Sequence, residues 1–459
     1  MVHPLVEPLG PAGSPDVRRA NLGRVLAVLR RVGPVSRAGL AVATGLTKAT
    51  VSAVVTDLSA RELVLEGDVV RGGGVGRPGR LVGLAGAPVR AVGVEVNTDH
   101  LTAVVLDLSG RVCWRLRVPF DVRRGTAATA VGRLAELVGD ALAEVRSAGH
   151  RVLGVAVSVP GLVDADAATV VSSPNLPLSG TDLPAQLRRR LGAALAGVTV
   201  SVANDADLAA TAEFRAAAGA EAGTGPVVGP GSGPAVGAVA DAQTATDLVY
   251  LTGEVGVGAG IVVGGRVLRG SGGFAGEIGH LPVPDATERC GCGRIGCLET
   301  VAGLAALLRA GGGPAGAAPA EDSSARLAQL AERARTDPAV AAALERAGRA
   351  LGYGVSVLVN VLDPGRVVLG GAFAVLAEHL VPAAEAEMRR RVVAPSARRR
   401  LVASTVGPDA AALGAAAAVL DAVFTDPSSV PPRSAPDRSV PTQPAAGPAA
   451  GQPTEGAPV

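Results

Sequence analysis

Residues 276–280 read Gly276-Glu277-Ile278-Gly279-His280, and residues 290–299 read Cys290-Gly291-Cys292-Gly293-Arg294-Ile295-Gly296-Cys297-Leu298-Glu299. Three of the four cysteines of the chain lie in this short stretch, spaced C-x-C-x4-C, with His280 ten residues before the first. One imidazole and three thiols make a closed tetrahedral set for a structural Zn²⁺: His280, Cys290, Cys292 and Cys297 fill its four corners and leave no open position. The competing reading is a cluster of buried thiols. The first residues, MVHPLVEPLGPAGSP, carry neither a basic leader nor an apolar core, so no secretory signal is expected. No run of eighteen apolar residues lacks glycine or charge, so no membrane span is expected. A reducing, cytoplasmic setting follows, which favours metal or free thiol over disulfides. Cys113 falls in a strand-like run and is expected in the core.

Working toward the N-terminus from this stretch, the pattern is that of an α/β body. Leu248–Leu251 reads as a strand running into the glycine-rich Gly253-Glu254-Val255-Gly256-Val257-Gly258-Ala259-Gly260, with a further strand at Ile261–Val263. Such a loop lets backbone N–H groups approach phosphate, or is simply a hairpin. Val198–Val202 is a strand ending in Asn204-Asp205-Ala206-Asp207 before a helix. A carboxylate there is placed to act as a general base, though Asn and Asp are equally good helix N-caps. Ala91–Val96, Leu101–Leu108, Val112–Val118 and Val152–Val159 are further strands, with a helix over about 125–148. Ser158-Val159-Pro160-Gly161 follows the last of them, where ligand sites of α/β sheets form.

The chain has 459 residues, 48% of them apolar and only 2% aromatic, with 62 glycines and 33 prolines. Small side chains must therefore pack the core. The net charge of +2 hides an asymmetry: residues 1–90 carry 12 Lys/Arg against 6 Asp/Glu, and the remainder 31 against 35. A basic segment on an acidic body suggests a nucleic-acid-binding head. Residues 1–17, 219–246 and 425–459 are rich in Pro, Gly and Ala and are expected to be disordered. The head then spans 18–86 and the body 88–424.

Within the head, Leu22, Val25, Leu26 and Leu29 mark one face of a helix. Ser36 can cap a short second helix through Ala43, and Thr47 a third. Thr44-Gly45-Leu46 joins them with a turn of helix-turn-helix length. Residues 47–60 read as the recognition helix, with Val51, Val54, Val55 and Leu58 inward and Lys48, Thr50, Ser52 and Thr56 offered to DNA. Lys48 is the only lysine among 43 basic residues. Leu63–Leu65 and Leu81–Leu84 can pair as a wing whose tip bears Arg71, Arg77 and Arg80, suited to a minor groove. The bland alternative is a three-helix packing module with a solvated basic loop.

Together, the Gly276–His280 and Cys290–Glu299 stretches, Asn204-Asp205 and the winged head resemble the ROK family of repressors and sugar kinases, over about 18–424. The resemblance implies a two-lobed actin/hexokinase-like (ribonuclease H-like) α/β fold with a sugar in the cleft. It implies that Asn204, Asp205, Glu277, His280 and Glu299 hold sugar hydroxyls, that Asp205 matches the base of the kinases, and that Gly161 and Asn175 flank the cleft. It also implies that an alanine-rich helix over about 408–424 returns to the first lobe.

Two departures from the kinase pattern matter. Where the kinases carry Asp-x-Gly-Gly-Thr-Lys, this chain has Glu95-Val96-Asn97-Thr98-Asp99-His100. Where they carry Gly-Thr-Gly, it has Gly253-Glu254-Val255. Phosphoryl transfer depends on neutralising phosphate charge, and carboxylates do the opposite. ATP binding is therefore not expected, although Gly370-Gly371 still resembles the adenosine-side turn. The expected protein is a homodimeric or dimer-of-dimers transcriptional regulator, most readily a repressor, binding a double-stranded operator and a sugar or sugar-phosphate effector. The runner-up is an ATP-dependent sugar kinase with Asp205 catalytic, and the third reading a dimerisation scaffold with a decayed pocket.

Overall fold

The computed structural model describes residues 14–70, 79–164, 168–221, 247–254, 256–310, 312, 323–393 and 401–433. The head opens with α1 (Ser14–Val32), a two-residue strand β1 (Val35–Ser36), α2 (Arg37–Thr44) and α3 (Lys48–Ala60). Ser36 and Thr47 cap α2 and α3 by accepting from the N–H of Gly39 and Thr50. Gly45 takes the left-handed conformation (φ 70°) that ends α2, and the two helices meet at 112°. β2 (Val64–Val70) and β3 (Gly79–Leu84) pair antiparallel with Val64 opposite Leu84, and β1 adds to the free side of β3. The wing tip, with Arg71 and Arg77, lies outside the described residues.

The body consists of two lobes built on one plan. In the first, β4 (Val89–Val96), β5 (His100–Asp107) and β6 (Val112–Pro119) form an antiparallel meander. After α4 (Ala127–Ser147), β7 (Arg151–Val159) lies parallel to β4. After β8 (Leu162–Asp164), β9 (Thr169–Ser172), β10 (Thr181–Asp182) and α5 (Leu183–Leu191), β11 (Thr199–Asn204) lies parallel to β7. The order is β11-β7-β4-β5-β6. β4 and β5 are buried at every position, as near-continuous apolar runs require. β6, at the edge, alternates.

The second lobe repeats the plan. β12 (Leu248–Gly253), β13 (Val257–Val263) and β14 (Arg266–Val267) form the meander. After α7 (Leu298–Ala302), α8 (Leu304–Ala310), α9 (Ser323–Thr336) and α10 (Pro338–Leu362), β15 (Arg366–Gly371) pairs parallel with β12. α11 (Ala372–Val375) and α12 (Ala377–Arg391) precede β16 (Leu401–Ala403), which completes the order β14-β13-β12-β15-β16. The glycine-rich stretch is thus a hairpin whose second arm is the strand β13. Its glycines serve packing, because a methyl on Gly260 would run into the carbonyl of Ala206.

Two helices cross between the lobes. α6 (Asp205–Glu221) leaves the first sheet and packs on β12 and β13. α13 (Ala410–Thr425) leaves the second sheet and packs on β4 and β7. They lie against one another through alanines and Gly414, where a methyl would strike the carbonyl of Leu208. Large side chains at this contact would hold the two backbones apart.

Four expectations are corrected. Residues 14–17, assigned to the disordered N-terminal segment, open α1. Cys113 is exposed, because on alternating β6 it shares the outward parity of Arg115 and Arg117. Residues 219–221, assigned to the flexible insertion, complete α6. Residues 425–433, assigned to the disordered tail, lie against the protein. Pro427 and Val430 are buried, and a short 3-10 turn spans Pro427–Ser429. Residues 1–13, 222–246 and 434–459 lie outside the described residues. No single helix among the described residues is long and apolar enough to cross a membrane.

Candidate functional site: an acidic interlobe cleft and a metal-competent cluster

The first meander strand of each lobe ends at the same place between the lobes. β4 ends at Val96, with Glu95 and Asn97 buried beside it, and β12 ends at Gly253, followed by Glu254. Asn97 donates to Glu95 (3.1 Å) and also hydrogen-bonds Glu254. The ends of β4 and β12 therefore meet each other. Burial first, and then the neighbouring Glu254, pushes Glu95 up to about 8. Burial first, and then Asp205, pushes Glu254 up to about 7. One oxygen of Glu95 has no hydrogen-bond partner. Glu254 also lies over the Gly370-Gly371 turn: a methyl on Gly371 would come within 2.5 Å of its carboxyl oxygen.

A second group gathers at the start of α6. Asn204 Oδ1 accepts from the N–H of Ala206 (2.9 Å) and Asp207 (3.2 Å), and its amide donates to the carbonyl of Gly161 (2.9 Å). Asn204 thus acts as the N-cap and ties the 158–161 segment to α6, leaving its remaining hydrogen-bonding capacity for a ligand. Asp205 is pushed up to about 6, mainly by burial, with its own and Ala206's N–H groups opposing and Glu277 adding. Asp207 is buried and pushed up to about 7. Glu277 is also raised, by burial. At neutral pH Asp205 is largely ionised, and so able to accept from a hydroxyl.

His280 links this group to the cysteines. Its Nε2 lies 3.8 Å from Glu277, and its Nδ1 lies 3.6 Å from Cys290 Sγ and 3.8 Å from Glu299. Cys292 and Cys297 are 3.7 Å apart, and the ligand atoms of all four residues lie within 4.8 Å of one another. A tetrahedral zinc with bonds of about 2.3 Å to sulfur and about 2.05 Å to nitrogen requires S···S and S···N separations of about 3.8 and about 3.6 Å. The donor set and spacing therefore fit such an ion, which would use Nδ1 of His280 and leave Nε2 toward the cleft.

Of the residues expected at the cleft, Asp205, Glu277, His280 and Glu299 converge, with Asn204 beside them. Asn175 is exposed. It lies two residues beyond Ser173, whose hydroxyl donates to the carbonyl of Pro160 at 2.6 Å. Sequence reasoning passed over three groups: Asp207, Asn97 as the bridge between two acids, and Arg117. The last lies 3.3 Å from His100 and draws Glu254 down. The signal of Asn97 and Arg117, a carboxamide or cation beside raised carboxyls, exists only once the chain is folded, as does the burial that raises Asp207.

On the head, Lys48 and Thr56 are exposed, and Ser52 is half-buried. Ser52's carbonyl accepts from Thr56 (2.9 Å) and from Arg37, an α2 residue absent from the expected set. Thr50 lies on the flank facing α1, its hydroxyl 2.9 Å from that of Thr47. Arg80 is exposed at the base of the wing. Exposed Ala49 and Ala53 share the outer face with Thr56, small enough for close approach to base edges.

Two lobes on one strand plan, crossed by exchanged helices and preceded by a winged helix-turn-helix head, define an actin/hexokinase-like α/β protein with a DNA-binding type of head. The chain belongs to the ROK family, whose model matches residues 91–238 and 235–422. It is 26% identical over 407 residues to the xylose repressor of Bacillus subtilis (strain 168), covering 88% of this chain and 96% of that protein. It is 27% identical over 376 residues to the N-acetylglucosamine repressor of Escherichia coli O157:H7, covering 80% and 84%. Among solved structures, a ROK family transcriptional regulator homologous to the E. coli MLC protein superposes with a TM-score of 0.70 at 25% identity, over 89% of this chain and 97% of that one. A ROK family glucokinase from Streptomyces griseus, in complex with glucose and AMPPNP, gives 0.55 at 26% identity over 72% and 98%. The kinase likeness covers a smaller share of this chain than the regulator likeness does.

Proposed function

We propose that this protein is a sugar-responsive, DNA-binding transcriptional regulator of carbohydrate genes, acting as a repressor and not as a kinase. The observation that carries the reading is Glu254. Its half-buried carboxyl occupies the space over the Gly371 turn and joins Glu95 through Asn97, so no cation is supplied where a nucleotide's phosphates would need one, whatever the protonation of the two acids. The sugar side keeps its polar groups: Asn204, Asp205, Glu277, His280 and Glu299 bind hydroxyls of a sugar or sugar phosphate, with Asn175 at the rim. His280, Cys290, Cys292 and Cys297 hold a structural zinc, which fixes His280 on a rigid loop. Lys48, Thr50, Ser52, Thr56, Arg71, Arg77 and Arg80 form the DNA-facing set.

A homodimer presents two heads to half-sites about one helical turn apart, so a small rotation within each protomer changes affinity. Repressors among the relatives and the head on an acidic body support this reading over a kinase with an accessory head. The test is calorimetry with pentoses, hexoses, N-acetylhexosamines and their phosphates, in parallel with an ATP phosphorylation assay. Saturable binding of one sugar, lost in Asp205→Asn, with no sugar phosphate formed from ATP, is expected. Turnover that Asp205→Asn abolishes would establish the kinase. Silence of every sugar in calorimetry would leave only the scaffold.

A further inference from the structure

Asp421, near the end of α13, is shared by two arginines from different parts of the molecule. Arg30, on α1 of the head, donates to it at 2.9 Å and also lies over the ring of Phe424 at 4.8 Å. Arg215, on α6, donates to it through Nε at 3.2 Å. The same α6 carries Asp205 and Asp207 in its first turn and is tied by Asn204 to the cleft. A cleft helix and a head helix thus share one carboxylate.

Past α13 the chain runs on to the far side of the head. Arg61, at the end of the recognition helix, donates to the carbonyls of Ser428 (3.0 Å) and Val430. The N–H of Arg433 donates to the carbonyl of Ala60 (2.8 Å), and its guanidinium meets Glu62 (2.6 Å). Arg151, at the start of β7, donates to the carbonyl of Pro431 (3.1 Å) and lies 3.7 Å from Glu62. Glu62 holds a left-handed backbone (φ 62°), a conformation a non-glycine residue adopts only where its surroundings impose it. Exposed ion pairs are individually weak, but these share Arg61, Glu62 and Ala60, and all act on one corner. The apolar seam between α1 and α13 holds the head as a whole; the contacts at 426–433 reach the end of α3 itself.

We propose that Asp421 and the strap Asp426–Arg433 form a joint that sets the pitch of the recognition helix from the position of α6, carrying the state of the cleft to the head. This rests on the reading of cleft and head given above, but its test needs neither sugar nor operator. Amide exchange is followed by mass spectrometry in three proteins: the full chain, a chain ending after residue 433, and one ending after residue 425. Ending at 433 should leave residues 58–63 as protected as in the full chain. Ending at 425 should speed their exchange on the order of tenfold, with α4 unchanged. Equal protection in the two shortened chains would overturn the strap. Because ending at 425 also risks misfolding, the shape-preserving Asp421→Asn in the full chain provides the second arm. Faster exchange in both α1 and the second half of α6 is expected, and a response confined to one of them would overturn the joint. If the joint passes and no sugar alters DNA binding, the regulator reading fails and the joint stands.

Discussion

Glu254 is the residue on which the account turns. Its folded pKa of about 7, like Glu95's of about 8, lies above the ordinary carboxylate value, so the folded protein holds protons that the unfolded chain releases. Stability from these groups is complete below about pH 4.5 and is lost as pH rises through 7 to 8. Glu254→Gln removes that loss. It should raise the melting temperature at pH 8 by roughly 2 °C or more and leave it nearly unchanged at pH 5. A substitution that lowers stability at pH 8 as much as at pH 5 would show that Glu254 is not held protonated. Lys48, exposed at the start of α3, belongs to the same scale. Lys48→Ala should weaken DNA binding and lower the slope of log affinity against log salt by about 1. An unchanged slope would remove Lys48 from the phosphate contacts.

Elements show which features the sequence made legible. Ser36 and Thr47 announced their helices because capping is local: the hydroxyl accepts an N–H three residues on. The His-Cys cluster was equally local in its cysteines. Cys113 was legible but misread, since the alternation of Trp114 and Leu116 with Arg115 and Arg117 already gave its outward parity. The Glu95–Asn97–Glu254 contact was not legible, because it joins strands from two lobes and no local pattern pairs them. The glycines of β13 read as loop for the same reason: their neighbour, α6, is distant in sequence. Gly414→Ala should therefore cost about 1–3 kcal/mol in denaturant unfolding, by forcing α13 from α6. A neutral result would mean that the helices separate freely. Removing the metal is the other test at this scale. One zinc per chain should be found, and chelation or Cys292→Ser should lower the melting temperature. No bound metal in protein purified without chelator would refute the assignment.

At the scale of the whole molecule, the opposed charges of head and body, the repeated lobe plan and the exchanged helices form one arrangement. The end of α6 meets α1 of the head at Asp421 of α13, and the chain beyond α13 reaches the end of α3. Two-lobed architecture was accessible only through resemblance, because strand order depends on pairings between distant segments. The residues at 425–433 show the limit of composition as a guide: proline-rich sequence packs when a partner surface such as Arg61 and Glu62 awaits it. The most direct test is fluorescence anisotropy of the full-length protein on duplex DNA from upstream of its own and adjacent genes. It should be run across a salt series, with and without each sugar and sugar phosphate. The account predicts one segment bound with an affinity on the order of 10³-fold or more above random DNA, and a change in that affinity with one sugar. Equal binding to specific and random DNA at every salt concentration, unmoved by any sugar, would contradict it.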